Sequence, residues 1–229
     1  MALPFRFHAR TPRARALAGL LTGVLFILSI AFAAGVTPQD ALALLTAGNA
    51  RFTEGKAIHP NCAKARITET AAGQQPFAVV LTCADSRVPP ELIFDRGVGD
   101  LFVVRTAGNV IDLVVIGSIE YAVEHLHTPR VIVMGHTRCG AVTAAAEHGH
   151  TDGSIGAILE CITPAVDETK KQIPKLTGDA FLDAAAEANA RRQANELLRQ
   201  SPLLADAARN GTVVVSCAMY DVRSGKVTM

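Results

Sequence analysis

The sequence predicts a single α/β domain with a mainly parallel β-sheet, because short apolar runs alternate with helical segments along the chain. Four runs are predicted strands, at residues 77–82, 101–105, 131–134 and 212–218, and residues 220–228 are predicted to form a C-terminal hairpin or edge strand. The 229 residues suffice for one domain with a sizeable core. We therefore expect a sheet of four strands plus the edge strand, flanked by helices.

The helices are predicted from caps, periodicity and prolines. Thr37, Pro38 and Asp40 are typical of a helix start, and this first helix is predicted to end near Gly55. Residues 112–125 carry apolar side chains at spacings of three and four. A polar loop is expected over 56–75, and further helices over 89–94, 138–148 and 155–200, with interruptions at Pro164 and Pro174.

The composition is that of a globular protein, with 49% hydrophobic and 19% charged residues. The formal net charge is +1, and no run of lysine or arginine follows the N-terminal segment. A nucleic-acid partner is therefore not expected.

The first 35 residues have the layout of an export signal. Four arginines precede residue 16, residues 16–36 carry no charge, and Ala31-Phe32-Ala33 fits a cleavage site. The uncharged stretch is also long enough to span a bilayer as an uncleaved anchor. The prediction is a signal peptide or membrane anchor over 1–35 and one folded domain over 36–229, which is periplasmic or secreted, or anchored to the inner membrane and facing outward.

Two thiols and one imidazole lie where predicted strands end. Cys83 follows the strand at 77–82, and His136 and Cys139 follow the strand at 131–134. Ligands of open parallel sheets bind beyond the carboxyl ends of the strands, and zinc is bound by Cys sulfur and His nitrogen. Three protein ligands leave a fourth position open, which is typical of a catalytic site. We therefore predict one Zn²⁺ per chain.

The order of these motifs resembles the β-class carbonic anhydrases. The resemblance includes Cys-x-Asp-x-Arg and the later His-x-x-Cys-Gly, and its segments are residues 49–52, 83–87, 99–109, 120–123, 136–140 and 220–221. It implies reversible hydration of CO₂ to bicarbonate and a proton, by attack of a zinc-bound hydroxide. Members with a regulatory bicarbonate site carry Trp where this chain has Gln74, and the chain contains no Trp. The resemblance is therefore to the plant-like, open subgroup.

Asp85 and Arg87 are the predicted catalytic pair. Their spacing after a strand lets carboxylate and guanidinium face each other, and such pairs can be bidentate. The resemblance implies that Asp85 orients the hydroxide and that Arg87 holds Asp85 in place. In some relatives the pair breaks and the Asp becomes the fourth zinc ligand, and a purely structural salt bridge is a further alternative.

Five further residues are predicted to contact the substrate. By their offsets from the cysteines, Gln74, Phe102 and Tyr121 match pocket positions of plant-like relatives. Gln74 could donate its amide to a substrate oxygen, and Val88 and Phe102 could form an apolar wall for CO₂. Gly140 offers a backbone N–H. For Phe102, a role in the core alone remains open.

The resemblance also implies assembly into a homodimer or a higher even oligomer. The first helix has an apolar stripe, and N-terminal helices of this family pack across a dimer partner; docking on its own domain is the alternative. The residues of the stripe are Ala41, Leu42, Leu44, Leu45 and Phe52.

Three cysteines remain beyond the two predicted ligands, and this odd number does not make a disulfide framework. Cys161 and Cys217 are interpreted as small buried hydrophobic residues, and Cys62 lies in a polar loop. His148 and His150 could relay protons or could be solvated loop residues.

Two other functions remain as alternatives. Carbonyl sulfide and carbon disulfide hydrolases are similar and share these ligands. A non-catalytic zinc-binding scaffold would need a fourth protein ligand, which the intact Asp85–Arg87 pair argues against. A cysteine phosphatase is excluded, because its loop needs Arg six residues after Cys and Pro89 stands there.

Overall fold

A five-stranded sheet forms the centre of the protein in the computed structural model, which describes residues 35–147 and 153–229. The strand order is β2-β1-β3-β4-β5. The first four strands are parallel, and β5 is antiparallel to β4, which confirms the predicted fold class. The strands are β1 (Ala78–Cys83), β2 (Leu101–Thr106), β3 (Arg130–His136), β4 (Val214–Tyr220) and β5 (Val227–Thr228).

Eight α-helices flank the sheet in the described part of the chain. They are α1 (Pro38–Thr53), α2 (Lys64–Thr70), α3 (Pro90–Ile93), α4 (Leu113–Glu124), α5 (Gly140–Ala146), α6 (Ile155–Gln172), α7 (Gly178–Gln200) and α8 (Pro202–Arg209), and a 3₁₀ turn covers Ala107–Asn109. Within residues 35–147 and 153–229, none of the helices is long and apolar enough to cross a membrane. The predicted leader, and the two histidines His148 and His150, lie outside the described residues.

The central strands are buried on both faces. One core cluster packs α1 and α3 against one face of β1 and β3, and a second packs α4, α7 and α8 against the other. The register pairs Thr82 of β1 with Met134 of β3, so these two strands end side by side. Two of the predicted ligands, Cys83 and His136, are the last residues of β1 and β3 and therefore share one edge of the sheet.

The first helix begins as predicted, and part of its apolar stripe is buried within its own chain. Thr37 and Asp40 form a capping box, since each side chain accepts a hydrogen bond from the other's backbone N–H. Ala41 and Leu45 are fully buried in the chain's own core, so these two residues of the stripe dock on their own domain, and packing of the helix on a partner stays a prediction. Leu44 remains exposed.

Two helix predictions are wrong. Residues 64–70 form a helix inside the predicted loop, and this helix has no buried residue, so no apolar periodicity could reveal it. The predicted break at Pro164 is absent: α6 continues through it, whereas the break at Pro174 is confirmed. Pro164 has no N–H to donate. Two backbone carbonyls of the preceding turn accept hydrogen bonds from side chains. Thr163 Oγ1 donates to the carbonyl of Leu159 at 2.8 Å, and Gln193 Nε2 donates to the carbonyl of Cys161 at 3.3 Å.

Candidate metal centre and active site

The three predicted ligands form one buried cluster. One ligand atom each from Cys83, His136 and Cys139 lies within 4.8 Å of the others. Their residues are 5%, 0% and 3% exposed. Cys83 ends β1, His136 ends β3, and Cys139 is the residue before α5. The sheet edge thus brings together the set that the strand pattern predicted.

His136 is oriented to offer one nitrogen to a metal ion. Its Nδ1 lies 2.9 Å from the carbonyl oxygen of Thr137. A carbonyl oxygen can only accept, so Nδ1 carries the hydrogen and Nε2 keeps its lone pair. Nε2 is buried without a hydrogen-bond partner among the described residues. A carbonyl on one ring nitrogen and a free lone pair on the other is the usual arrangement of a metal-bound histidine.

Each of the two thiols changes the pKa of the other. Hydrogen bonding with Cys139 lowers the pKa of Cys83 to about 4 against the opposing effect of burial, and His136 and the N–H groups of Asp85 and Gly108 lower it further. The same pairing with Cys83, together with burial, raises the pKa of Cys139. A bound cation favours the thiolate form of both groups, because a thiol must lose its proton to bind a metal ion. Two thiolates and one imidazole suit zinc, with its preference for sulfur and nitrogen ligands.

Asp85 is held by a bidentate ion pair. Arg87 donates from Nε to Asp85 Oδ1 at 3.0 Å and from Nη2 to Oδ2 at 2.8 Å, and its backbone N–H donates to Oδ1 at 2.9 Å. Because of Arg87 above all, the pKa of Asp85 falls to about 2. Asp85 Oδ2 lies 4.0 Å from His136 Nε2. An ionised carboxylate thus stands beside the nitrogen that could bind the metal.

The backbone around this cluster is fixed by residues for which the sequence suggested no role. Arg105 donates to the carbonyl oxygens of Cys83, at 3.1 Å, and Asp85, at 2.6 Å. The N–H of Gly108 donates to Cys83 Sγ at 3.2 Å. Both residues lie in the segment 99–109 that carries the family resemblance, and this is the signal that could have identified them.

The turn between His136 and Cys139 is tied to α7. Arg138 has a left-handed backbone (φ 56°), and its N–H donates to Asp183 at 2.8 Å. Its guanidinium bonds Asp179 at 2.5 Å, and its carbonyl accepts from Arg87 at 3.3 Å. These contacts explain why the predicted helix over 138–148 begins only at Gly140.

Val88 and Gly140 lie close to the cluster in sequence but face different surroundings. Val88 is fully buried among the core residues Ile93 and Phe94, so its side chain anchors the loop after β1. Gly140 is exposed at the first position of α5, and a Cβ added there would meet nothing within 4 Å. Gly140 therefore leaves open space next to Cys139.

The other three predicted substrate residues lie away from the cluster of their own chain. Phe102 pairs with Val79, four residues before Cys83, which is about 13 Å along the strand. Tyr121 packs on Phe102, with ring centroids 6.4 Å apart. Gln74 is exposed and precedes β1, at the end opposite to Cys83. One chain alone therefore does not bring these residues to its metal centre.

The three remaining cysteines, all in the described part of the chain, form no disulfide bond. Cys62 is exposed, whereas Cys161 and Cys217 are partly buried and pack against the hydrophobic clusters. The interpretation of the latter two as small hydrophobic residues agrees with this packing.

Fold and donor set together define an α/β protein with a buried site for one zinc ion at the carboxyl edge of a parallel sheet. Residues 78–227 match the family described as carbonic anhydrase. A carbonic anhydrase of Mycolicibacterium smegmatis is 38% identical over 196 residues, which cover 84% of this chain and 93% of that protein. Carbonic anhydrase 2 of Mycobacterium tuberculosis is 36% identical over 197 residues, with 84% and 92% covered.

Solved structures agree. The β-carbonic anhydrase CafA of Aspergillus fumigatus gives a TM-score of 0.67 at 29% identity, over 78% of this chain and 88% of that one. A tetrameric β-carbonic anhydrase of Sordaria macrospora gives 0.66 at 25% identity, over 71% and 84%. The chain therefore belongs to the β-class carbonic anhydrase family. It is a carbonic anhydrase enzyme with zinc as its cofactor.

Proposed function

We propose that this protein catalyses the reversible hydration of CO₂ to bicarbonate and a proton. The observation that carries the proposal is an ionised Asp85 held 4.0 Å from the free Nε2 of His136, in a buried cluster with Cys83 and Cys139. Its relatives named carbonic anhydrase support the same reaction.

Cys83, His136 and Cys139 would hold the zinc ion. Zinc bound at such a site lowers the pKa of a water molecule and so supplies hydroxide near neutral pH. The chain's own contribution is to orient that nucleophile. Asp85 would accept its hydrogen bond, which directs a lone pair towards the carbon of CO₂.

Arg87 is proposed as the group that keeps Asp85 in this role. Both carboxylate oxygens of Asp85 accept hydrogen bonds from Arg87. A carboxylate held in this way stays ionised and is kept from turning onto the metal as a fourth ligand. This pairing supports assignment to the open subgroup. Activity should then change smoothly with pH, and an abrupt loss on the acid side would contradict the assignment.

The central test is CO₂ hydration by stopped flow with the zinc content measured in the same samples. The unaltered protein should be active with about one zinc per chain. Asp85→Ala should lose about 10²–10³-fold in kcat, because an orienting group is removed, and should keep its zinc. Asp40→Ala, which removes an exposed aspartate at the cap of α1, is the control and should remain active.

A zinc-loaded protein without CO₂ hydration at any pH would contradict the proposal. The same preparation would then be assayed with carbonyl sulfide and carbon disulfide, since hydrolases of these compounds are similar in their ligands. Activity on either would identify the alternative enzyme, and inactivity on all three would leave the scaffold.

We further propose that the protein is a homodimer or higher even oligomer in which pocket residues come from a neighbouring chain. Gln74, Phe102 and Tyr121 can contact a zinc site only if it belongs to a second copy, given their distance from their own. An exposed apolar face of α4 supports association, since Leu113 and Val114 are 84% and 75% exposed and Tyr121 is 48% exposed. The Sordaria macrospora relatives are tetrameric.

We also propose that residues 1–35 direct export, either as a cleaved signal or as an anchor. The uncharged stretch over 16–36 behind four arginines supports this proposal. N-terminal sequencing of protein recovered from the periplasm should give a start just after Ala33. An intact N-terminus in the membrane fraction would identify the anchor, and recovery in the cytosol would contradict export.

A further inference from the structure

A row of buried amide groups connects α7 to the thiol of Cys83. Asn189 and Gln193 lie one helical turn apart on α7 and are 0% and 3% exposed. Gln193 Nε2 donates to Asn189 Oδ1 at 3.1 Å, and Asn189 Nδ2 donates to the carbonyl oxygen of Gly108 at 2.8 Å. The N–H of Gly108 in turn donates to Cys83 Sγ at 3.2 Å. These hydrogen bonds form a continuous path from the helix to the metal centre.

Gly108 is a residue whose conformation needs outside support. Its φ is 67°, which strains other residues, and an added Cβ would lie 2.5 Å from Ile162 Cδ1, so glycine is strongly favoured. Glycine has little conformational preference of its own, because it has no Cβ. The direction of its N–H is therefore set by what its neighbours bond. The side chain of Asn189 donates to the carbonyl oxygen of Gly108, and this contact restricts the backbone rotation of Gly108.

Gln193 fixes Asn189 in turn. Its Oε1 accepts from the N–H of Ile111 at 3.1 Å, which leaves Nε2 to face Asn189. Asn189 Oδ1 therefore accepts, and Nδ2 must donate towards Gly108. A buried amide that is satisfied on both sides has one orientation, because turning it would leave buried donors and acceptors unpaired.

We propose that Asn189 is a positioning residue of the metal centre, which holds Gly108 so that its N–H donates to the sulfur of Cys83, and that Gln193 orients Asn189. Such a hydrogen bond fixes the sulfur in place and withdraws part of the charge that it can give to a metal ion. The inference rests on the proposed ligation of zinc by Cys83. It adds two residues of α7, distant in sequence from every motif, to the determinants of zinc binding.

The test is the zinc affinity of Asn189→Ala, measured by competition with a chelator in the full-length protein. Loss of an outer partner of a ligand typically weakens metal binding about 10–100-fold, and we expect a loss in that range. A second readout is the sulfur-to-cobalt charge-transfer absorption of the Co²⁺-loaded protein, which should shift to longer wavelength when Cys83 loses its hydrogen bond. Gln193→Ala should change both readouts in the same direction and by less.

Asn49→Ala is the matched control. Asn49 is also a buried asparagine, and its Nδ2 donates to the carbonyls of Ile93, at 3.1 Å, and Gly225, at 2.9 Å. This variant should melt at a lower temperature and keep the zinc affinity and the cobalt spectrum of the unaltered protein. If Asn189→Ala behaves like Asn49→Ala, either because both keep zinc affinity or because both lose it equally, Asn189 is structural only and the inference is overturned.

If Asn189→Ala does not fold, a second substitution at the same position replaces it in the test. Asn189→Leu keeps a side chain of similar size and removes the donor to Gly108, and the same losses are expected. Gln193 Nε2 keeps the carbonyl of Cys161 as its acceptor in this variant. Unaltered protein without zinc would overturn the proposed ligation itself. Zinc-loaded unaltered protein, together with an Asn189→Leu variant of equal affinity, would overturn only the role of Asn189.

Discussion

The two ends of the sheet differ in whether their predicted site residues lie near the metal centre of the same chain. The carboxyl end carries Cys83, His136 and Asp85, which one chain brings together. The amino end carries Gln74 and Phe102, which the same chain holds away from that cluster. Residues predicted from where strands end do meet, whereas residues predicted from their offset in a related sequence do not.

The difference arises because an offset along the chain does not specify a position in space. Parallel strands in register bring their last residues to one edge, so Cys83 and His136 had to be neighbours. A strand of six residues is about 20 Å long, and it separates whatever precedes β1 from whatever follows it. A resemblance in sequence shows which residues match the pocket residues of a relative, but not which chain of an assembly supplies them to a given pocket.

The largest effect is expected from removing a ligand at the carboxyl end. His136→Ala deletes the nitrogen that faces the cluster, and we expect zinc affinity to fall more than about 100-fold, beyond the range for outer partners. Zinc per chain after dialysis is the measurement. The control from the other end is His125→Ala, since His125 is an exposed residue that packs on Tyr121 with ring centroids 5.1 Å apart. Equal zinc loss in both variants would contradict the assignment of the ligand.

The next effect tests whether the amino end serves a partner. Phe102→Ala should keep its zinc and lose about tenfold in kcat/KM, an amount typical of a lost apolar pocket contact. Differently tagged chains carrying Phe102→Ala and Asp85→Ala would then be purified as a mixed dimer.

If Phe102 serves the partner's site, the mixed dimer holds one intact site and one doubly altered site. Its activity should be about half that of the unaltered dimer, because a two-fold symmetric dimer has two equivalent sites. If Phe102 serves its own chain, no intact site forms. Activity no greater than the average of the two altered homodimers would contradict the shared site.

The sequence predicted most of the fold but not its irregular contacts. Apolar runs showed the four parallel strands, and the signature is strongest in β1 and β3, which are buried on both faces. The helix over 64–70 was not predicted, because it buries no apolar side chain. It is held instead by Arg66, which donates to the carbonyl of Val98 at 2.9 Å. The continuous helix through Pro164 was not predicted because a proline inside a helical pattern usually ends or kinks the helix, whereas α6 continues through it.

In the metal centre, too, some residues could be predicted from the sequence and others could not. Cys83, His136 and Cys139 could be predicted because their residue types are themselves the chemistry and because strands deliver them to one edge. Asn189 could not, because a buried asparagine in a helix has no sequence pattern and becomes meaningful only through its contact with Gly108. Long-range hydrogen bonds to backbone atoms are decided by tertiary packing.

The smallest effect on function is expected from a buried charge that touches neither end's chemistry. The Asp95 carboxylate is fully buried and accepts hydrogen bonds from Arg51 at 2.6 Å, His59 N–H at 2.8 Å and Ile58 N–H at 3.2 Å. Burial by itself would raise the pKa of Asp95, but Arg51 and the two N–H groups outweigh it and lower the pKa. The carboxylate is therefore more acidic in the folded protein than in the unfolded chain.

This sign fixes the pH dependence. The charge of Asp95 stabilises the fold above the unfolded pKa of about 4, and the contribution is lost as pH falls through the lower pKa of the folded state. Asp95→Asn should reduce the free energy of unfolding by about 2 kcal/mol at neutral pH and by less near pH 3, since bonds to a charged group contribute about 1.5–3 kcal/mol. Urea unfolding at both pH values is the measurement.

Asp40→Asn is the control for this last variant, because Asp40 is an exposed aspartate whose hydrogen bonds are confined to the cap of α1. Its effect on unfolding should be smaller at neutral pH, and both variants should keep their zinc and their CO₂ hydration. A difference between Asp95→Asn and the unaltered protein that stays constant down to about pH 3 would show that the charge of Asp95 is not what stabilises the loop at residues 58–59. Lost zinc in Asp95→Asn would show instead that the metal centre depends on packing well beyond the edge of the sheet that carries it.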